Sequence, residues 1–397
     1  MKVLVVSHMY PRPSLSMYGT FVRDKAIALK DLGVDVRICA PVPIIPWPLS
    51  LLRRYRKGVH DPTFSDILPT IRVPWITLPT RALETELRSL AYWNLMKAKV
   101  ALFGDQEPDL IHANDLFPDG YACAKLARII HRPLVVTSHG GDNRVHAKHP
   151  RRKKALVQAA EASKKIICVS EFVRRELIGL GLDSSKLVTV HNGVDYQRAY
   201  RGPETYRIRN RFGNGVIVLC VGHMKLSEKG FDVNIKAFAQ LIKEIPQCPV
   251  SLVLVGDGAM RPSLERMTKT LGLNGKVFFA GAKRPEEVMQ YMSACDIYCM
   301  PSWYEAFGIV YLEAMMHGKP VIGVQGQGIS EIITHCKTGL LVPGKDVVAT
   351  CRALQRLIED KRFRVRIGRN GRRLAYSKYS QKRSAERTLL VYHDALK

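Results

Sequence analysis

Short apolar runs rich in Val, Ile and Leu alternate along the chain with amphipathic segments whose apolar positions recur every three or four residues. In the first half, these patterns predict strands at 2–7, 35–40, 109–113, 134–138, 165–170 and 187–191, and helices at 21–32, 82–103 and 153–162. In the second half, they predict strands at 216–222, 251–256, 277–280, 297–301, 320–324 and 339–342. Short buried strands that alternate with helices are typical of a parallel sheet covered on both faces.

The alternation occurs twice, and 397 residues are too many for one ordinary core. We therefore predict an α/β chain of two doubly wound, Rossmann-like domains, at residues 1–200 and 201–375, facing a central cleft. Ligands of such folds bind at the carboxyl ends of the strands. Residues 346–397 are expected to be helical and basic.

The segment at 301–322, PSWYEAFGIVYLEAMMHGKPVI, carries the strongest chemical signal. A strand ends at Pro301, a short loop carries Glu305, and Gly308 leads into a helix that contains Glu313. The free amides of such a helix start bind phosphate, and the two carboxylates could accept hydrogen bonds from sugar and ribose hydroxyls. The alternative is a pair of solvated glutamates on a surface helix.

These residues resemble the Glu-x7-Glu signature of the retaining GT-B glycosyltransferases of family four. Other motifs of the family are similar to further segments of this chain, which occur in the same order as in the family. They are SHGGD (138–142), HNGVD (191–195), VGHMKLSEKG (221–230), LVGDGAMR (254–261), GQGISEI (326–332) and TGLLVP (338–343). The resemblance runs from Lys2 to about Tyr392. It implies the GT-B fold and a C-terminal helix, at about 376–397, that packs back on the first domain.

The resemblance also implies roles for individual residues. Lys229 would neutralise the leaving diphosphate, and Glu305 would hold sugar hydroxyls, helped by the backbone of Phe307 and Gly308. The amides of Ile309 and Val310 would bind phosphate, and Glu313 would bind the ribose. His139 would lie beside the sugar from the opposite domain.

Three further positions complete the predicted site. Gly222 ends a strand, and the next residue is His223, where the family often has Arg. A neutral imidazole supplies less charge than a guanidinium, although Lys225 could compensate. Gly19 would let the first loop approach the phosphates. Asp142 is either a cleft residue that contacts the acceptor or a cap for the following helix.

The implied reaction is retaining transfer of a sugar from a nucleotide-sugar, with UDP favoured over GDP, to a saccharide or lipid-linked acceptor. No cofactor and no metal are expected, because no Asp-x-Asp of the metal-dependent kind occurs and Lys229 with the helix start would stabilise the leaving group. Two alternatives remain: a sugar-nucleotide epimerase on the same fold, and a basic nucleic-acid-binding protein. No nucleic-acid recognition module is visible, so nucleic acid is not an expected partner.

The charge of the chain bears on its location in the cell. The net charge is +26, and residues 351–397 hold 14 Lys+Arg against 4 Asp+Glu. A basic surface attracts anionic lipid. Residues 41–58 add the composition of an interfacial membrane contact. The contact would use Trp47, Leu51, Leu52, Arg53, Arg54, Arg56 and Lys57. We therefore predict a cytoplasmic enzyme of cell-surface polysaccharide or glycolipid synthesis, peripheral at the inner face of the membrane. The alternative is an ordinary loop on an enzyme whose charge is merely solvated.

Overall fold

A computed structural model describes residues 1–12, 19–44, 65–77, 84–199, 202–225 and 227–397. The chain forms two compact units. Unit 1 comprises Met1–Gly193 and Gln381–Lys397, and unit 2 comprises Val194–Ser380. The sequence pattern places these divisions at residues 200 and 375, several residues from the observed ones.

The described part of unit 1 contains a seven-stranded parallel sheet of order β3-β2-β1-β4-β5-β6-β7. Its strands are β1 (Lys2–Val6), β2 (Asp35–Ile44), β3 (Thr70–Ile76), β4 (Leu110–Asn114), β5 (Leu134–Ser138), β6 (Lys165–Cys168) and β7 (Leu187–Thr189). Strand β1 is an interior strand, with Val3 beside Val36 on one side and Leu110 on the other. Its apolar residues are buried, as a sheet covered on both faces requires.

The helices of unit 1 cover this sheet. They are α1 (Thr20–Asp31), α2 (Glu84–Leu90), α3 (Tyr92–Phe103), α4 (Tyr121–Ile129), α5 (Pro150–Ala162), α6 (Glu171–Gly179) and, from the end of the chain, α14 (Gln381–Leu396). Helix α14 buries Ala385 and Tyr392 in the same core as Val22 and Leu29 of α1. The Tyr392 hydroxyl also lies 2.6 Å from Nδ1 of His112 in β4.

The described part of unit 2 contains a six-stranded parallel sheet of order β10-β9-β8-β11-β12-β13. Its strands are β8 (Val216–Val221), β9 (Val250–Val255), β10 (Val277–Gly281), β11 (Ile297–Cys299), β12 (Val321–Val324) and β13 (Leu340–Val342). Its helices are α7 (Glu204–Arg211), α8 (Phe231–Glu244), α9 (Arg261–Thr270), α10 (Pro285–Ala294), α11 (Ile309–Met316), α12 (Val347–Glu359) and α13 (Lys361–Lys378).

The predicted fold class of two parallel-sheet, Rossmann-like domains is confirmed. Two details differ from the sequence interpretation. Strand β3 is additional, and the single helix predicted at 82–103 is two helices, α2 and α3, separated at Ala91.

Candidate active site

The carboxyl end of the unit 2 sheet gathers the predicted donor-binding residues. Strand β8 leads into Gly222 and His223, and strand β11 leads through Pro301 into the loop that carries Glu305. The two strands are direct neighbours in the sheet, with Tyr298 paired to Leu219. Their following loops therefore emerge side by side at one edge.

An ion pair joins these loops. The Nζ atom of Lys229 lies 2.8 Å from Oε2 of Glu305, and the side chains are 31% and 11% exposed. The structure thus brings together the two residues that were predicted to hold the diphosphate and the sugar. Part of each side chain remains open to solvent, so a ligand with anionic and hydroxyl groups could contact both.

The backbone around Glu305 is fixed on two sides. The amide of Trp303 donates to the carbonyl of Glu228 at 2.9 Å, which ties this loop to the Lys229 loop. The amide of Glu305 donates to Oε1 of Gln327 at 3.1 Å, and its carbonyl accepts from the amide of Gly328 at 2.8 Å. Glu305 is therefore held in place before any ligand arrives.

Gln327 is a positioning residue that the sequence interpretation did not single out. It was part of a matched motif, but its contact with Glu305 joins residues far apart in sequence. Only the placement of the loop after β12 beside the loop after β11 reveals it.

Helix α11 starts directly after this loop, with Gly308 as its N-cap. The first amides of a helix have no partner within it and carry the positive end of the helix dipole. Ile309 and Val310 are the first two helical residues, and both are partly exposed. Glu313 lies four residues after Ile309, hence one turn along the same face, and is also partly exposed. Phe307 contributes only backbone to this region, because its ring is buried.

His223 follows Gly222 at the strand end and is exposed. Desolvation, together with the charges of Lys225 and Lys229, lowers the pKa of His223 below its ordinary value. This shift favours the neutral ring, which supplies less charge than a guanidinium; the contact of His223 with phosphate stays a prediction. The nearby positive charge comes from the two lysines.

In unit 1, His139 lies at the carboxyl end of β5 and is half-buried. Its amide donates to Oδ1 of Asp115 at 3.0 Å, and its Nε2 lies 3.1 Å from Oδ1 of Asn114. Because an amide oxygen only accepts, Nε2 carries the proton and Nδ1 offers a lone pair. The ring also packs 4.8 Å from that of Phe21 in α1, and burial followed by the charge of Lys25 lowers its pKa.

Gly19, the N-cap of α1, has a left-handed backbone with φ of 74°. A Cβ at this position would lie 1.6 Å from the carbonyl oxygen of Met9. Only glycine fits here, so Gly19 lets the helix begin against the loop after β1. Its predicted approach to phosphate stays a prediction.

Asp142 is fully buried, and its two carboxylate oxygens accept hydrogen bonds from the amides of Leu116 and Phe117 at 3.2 and 3.1 Å. These bonds hold the loop after β4. Burial raises the pKa of Asp142 to about 6. Its acceptor role stays a prediction, while the structure gives it a role in positioning the loop.

Asp115 is a further candidate that the sequence interpretation missed. It follows β4, is buried, and contacts the amide of His139. Its backbone has φ of 73°, which is uncommon outside glycine and is often found at functional sites. Burial, and then the charge of Asp142, raise its pKa well above the usual range. No sequence motif marked it; a non-glycine residue in this backbone conformation shows only in the structure.

The predicted membrane contact, Trp47, Leu51, Leu52, Arg53, Arg54, Arg56 and Lys57, lies outside the described residues. Within the described ranges, no group of three or more His, Cys, Asp or Glu is arranged to hold a metal ion. No helix in the same ranges is long and apolar enough to cross a membrane.

A fixed lysine, a fixed carboxylate and a helix start at one sheet edge suit a ligand that combines phosphate with hydroxyl groups. Two family profiles match the chain around these features. "Glycosyltransferase Family 4" matches residues 19–198, and "Glycosyl transferases group 1" matches residues 203–374. Fold and site together define a glycosyltransferase of the GT-B type. The chain belongs to the family-four glycosyltransferases, which confirms the resemblance in its sequence.

Two relatives are similar to most of the chain in sequence, and one solved structure is similar in fold. A Bacillus subtilis glycosyltransferase assigned to teichuronic acid biosynthesis, TuaC, is 28% identical over 90% of this chain and 89% of its own. The N-acetyl-alpha-D-glucosaminyl L-malate synthase of Bacillus anthracis is 26% identical over 73% of this chain and 75% of its own. Sucrose-phosphate synthase of Thermosynechococcus elongatus superposes with a TM-score of 0.79 at 24% identity, covering 99% of this chain and 98% of that one.

Proposed function

We propose that this glycosyltransferase transfers a hexose with retention of configuration and without a metal, from a nucleotide-sugar to a saccharide or lipid-linked acceptor. The observation that carries the proposal is the Lys229–Glu305 pair, 2.8 Å apart, with Glu305 four residues before helix α11 begins. A cation and helix amides suit a diphosphate, while a carboxylate suits hydroxyls. We propose a UDP-sugar as the donor, ahead of a GDP-sugar.

In the proposed step, an acceptor hydroxyl oxygen bonds to the anomeric carbon on the face from which the diphosphate departs. The bond between that carbon and the diphosphate oxygen breaks, and the hydroxyl proton passes to the leaving phosphate. Lys229 and the first amides of α11 stabilise the charge on the leaving oxygen. Glu305 and Glu313 accept hydrogen bonds from the sugar and the ribose. In unit 1, the Nδ1 lone pair of His139 is available to accept a hydrogen bond from a hydroxyl group.

For the acceptor, we propose a growing cell-surface polysaccharide or glycolipid. The similarity to TuaC over 90% of the chain supports this class. The net charge of +26 supports an anionic lipid surface as the working place, at the inner face of the cell membrane. The similarity to the malate synthase favours the contrasting possibility of a small acidic acceptor, which the experiment includes.

The proposal is tested by incubating the full chain with UDP-, GDP- and ADP-sugars in the presence of either bacterial membrane lipids or L-malate. We expect nucleoside diphosphate release that depends on acceptor, a glycoside whose anomeric NMR coupling matches the donor's configuration, and activity that survives EDTA. An isomerised sugar-nucleotide without a glycoside would indicate the epimerase. An inverted product or strict dependence on a divalent ion would contradict the mechanism.

Lys229→Ala is the matching variant. Because the diphosphate gains charge as it leaves, we expect kcat to fall about a hundredfold or more while donor affinity changes less. Lys236→Ala removes an exposed lysine from α8 of the same unit and should behave as wild type. Equal losses in the two variants would exclude a specific role for Lys229.

A further inference from the structure

One face of helix α13 in unit 2 is a line of arginines. Arg362, Arg366, Arg369 and Arg373 recur every three or four residues, so they share one side of the helix, and all four are exposed. At 1.5 Å per residue the line is about 16 Å long. We call these four residues the arginine face.

The opposite side of α13 fixes its orientation. Phe363, Ile367 and Ala375 are buried in unit 2. The helix start is capped by Asp360, whose Oδ1 accepts from the amide of Phe363 at 2.8 Å. With the inner side packed and the start capped, the arginine face is held outward.

The arginine face carries uncompensated charge. Residues 361–378 contain eight Lys and Arg and no Asp or Glu. In the described part of the chain, none of the four arginines forms an ion pair. Arg366 lies 5.3 Å from the centre of the Phe363 ring, a contact that does not neutralise its charge. Two other arginines of the helix are used within the fold: Arg364 donates to the carbonyl of Leu357 at 2.8 Å, and Arg372 lies over the ring of Tyr376.

The arginine face is also remote from the donor site within unit 2. Midway along α13, Nδ2 of Asn370 donates to the carbonyl of Lys337 at 3.1 Å, and residue 337 precedes strand β13. This part of the helix therefore lies at the amino edge of the sheet, whereas Lys229 and Glu305 lie at its carboxyl edge. Donor binding does not account for the four charges.

We propose that the arginine face docks unit 2 on an anionic lipid bilayer. Four guanidinium groups in a straight, outward line match a flat layer of phosphate headgroups, and each basic residue near such a surface adds attraction. Val365, which is 50% exposed beside the line, adds apolar area for the headgroup boundary. The inference rests on the membrane location proposed above and names the surface that makes the contact.

The same helix is poorly suited to single-stranded nucleic acid, whose bases stack on exposed aromatic rings. The two aromatic rings of helix α13 are already engaged. Phe363 is buried, and the ring of Tyr376 stacks on that of Tyr196 at 4.1 Å. Charge without a free stacking ring favours lipid phosphate as the partner.

Co-sedimentation of the full chain with lipid vesicles, without substrates, tests the inference. The vesicles are phosphatidylcholine alone or phosphatidylcholine with phosphatidylglycerol, at about 0.15 M salt, where the Debye length is about 8 Å. We expect binding only to the phosphatidylglycerol vesicles. Changing all four arginines to Gln should weaken it about tenfold or more, and changing them to Lys should keep most of it.

The matched control changes four other exposed basic residues of unit 2 to Gln: Arg207, Lys236, Lys243 and Lys269. It removes the same net charge and should bind nearly as wild type. Equal losses in the two Gln variants would overturn the inference. Equal binding to both vesicle types would also overturn it, as would retention by a DNA duplex but not by vesicles.

Transfer to a dissolved acceptor is measured in parallel. Its failure in wild type would contradict the proposed function, whereas its loss is not expected in the arginine variant.

Discussion

Glu313 provides the most direct residue-scale test of the donor site. It lies one turn into α11, partly exposed on the same face as Ile309. If it accepts a hydrogen bond from the ribose, Glu313→Ala should weaken donor binding by about 1.5–3 kcal/mol, the usual worth of a bond to a charged group. Calorimetric titration with UDP measures this directly in a variant whose circular dichroism is unchanged.

The control for this measurement is Glu286→Ala, which removes an exposed glutamate from the first turn of α10 in the same unit. UDP affinity should be unaffected. Unchanged affinity in both variants would remove Glu313 from the proposed site.

The buried Lys25 leads to a prediction about how the stability of the fold depends on pH. It is buried on α1, its Nζ donates to Oδ1 of Asn192 at 3.3 Å, and burial lowers its pKa from 10.5 to about 8. Between pH 8 and pH 10.5 the Lys25 amine binds more protons in the unfolded chain than in the folded one. The free-energy cost of burying the charge is therefore complete below pH 8, and it decreases as the pH rises. Relative to wild type, Lys25→Met should therefore lose about 2 kcal/mol of stability between pH 7 and pH 9.5.

Urea unfolding of both proteins at the two pH values measures this change. Loss of the hydrogen bond to Asn192 affects the free energy of unfolding alike at both pH values, so it cancels in the comparison. Lys30→Met, at an exposed lysine of the same helix, should differ from wild type by the same amount at both pH values. A pH-independent difference for Lys25→Met would show that the amine is not protonated differently in the folded state.

At the residue scale, the sequence named candidate site residues that belong to local motifs, such as Lys229 and Glu305. Their pairing was not predicted, and it is visible only in the structure, where two strand-end loops lie side by side. Gln327 and Asp115 could not be found in this way. Gln327 acts on Glu305 across 22 residues, and Asp115 is distinguished by its backbone conformation and its contact with His139.

At the scale of elements, the start of α8 depends on one close approach. Gly230 has φ of 68°, and a Cβ there would lie 2.2 Å from the carbonyl oxygen of Pro301. Gly230→Ala must therefore push the start of α8 away from the end of β11, which also separates Lys229 from Glu305. We expect a loss of about 2 kcal/mol or more in the stability of unit 2, together with loss of transfer activity. Thermal unfolding and the transfer assay measure the two effects.

Gly275 is a matched control, because it also has a positive φ, of 75°, but its added Cβ would meet no atom within 4 Å. Gly275→Ala carries the backbone strain without the collision. It should destabilise less than Gly230→Ala and retain activity. Equal effects would mean that backbone strain alone, and not the contact with Pro301, explains the requirement for glycine.

The elements that sequence predicted well are the buried strands, because continuous apolar runs are required of strands covered on both faces. The predicted strand at 134–138 coincides with β5 (Leu134–Ser138). Strand β3 (Thr70–Ile76) was missed because its pattern is interrupted by Pro74. A proline is tolerated there because β3 is the edge of its sheet, where one side of the strand needs no ladder bond. The edge position of a strand is a property of the sheet topology, so the local sequence pattern does not predict it.

At the scale of the whole molecule, the chain enters unit 2 after Gly193 and returns to unit 1 after Ser380. Unit 1 is therefore completed by the last segment of the chain. Ala385, Val391, Tyr392 and Ala395 of α14 belong to its core, so the core is incomplete until unit 2 has been synthesised. By contrast, unit 2 is one continuous stretch, residues 194–380, and contains both Lys229 and Glu305. The two units are thus expected to respond differently to loss of the C-terminus.

Deletion of residues 381–397 should unfold or strongly loosen unit 1 while leaving unit 2 folded. It removes four buried apolar side chains, the Tyr392–His112 bond of 2.6 Å and the Ser384 hydroxyl bond to the carbonyl of His191 at 2.7 Å. Losing one large buried aromatic alone costs about 3–5 kcal/mol, against a typical total stability of about 5–15 kcal/mol. Hydrogen exchange read by mass spectrometry should show lost protection in β1 and β4 and retained protection in β8 and β9.

The control is the double variant Glu386→Ala with Arg387→Ala, at exposed positions of α14, which should leave all four strands protected. Retained protection of β1 and β4 in the deletion would show that unit 1 is stable without its last helix, and loss in all four strands would show that the units do not fold independently.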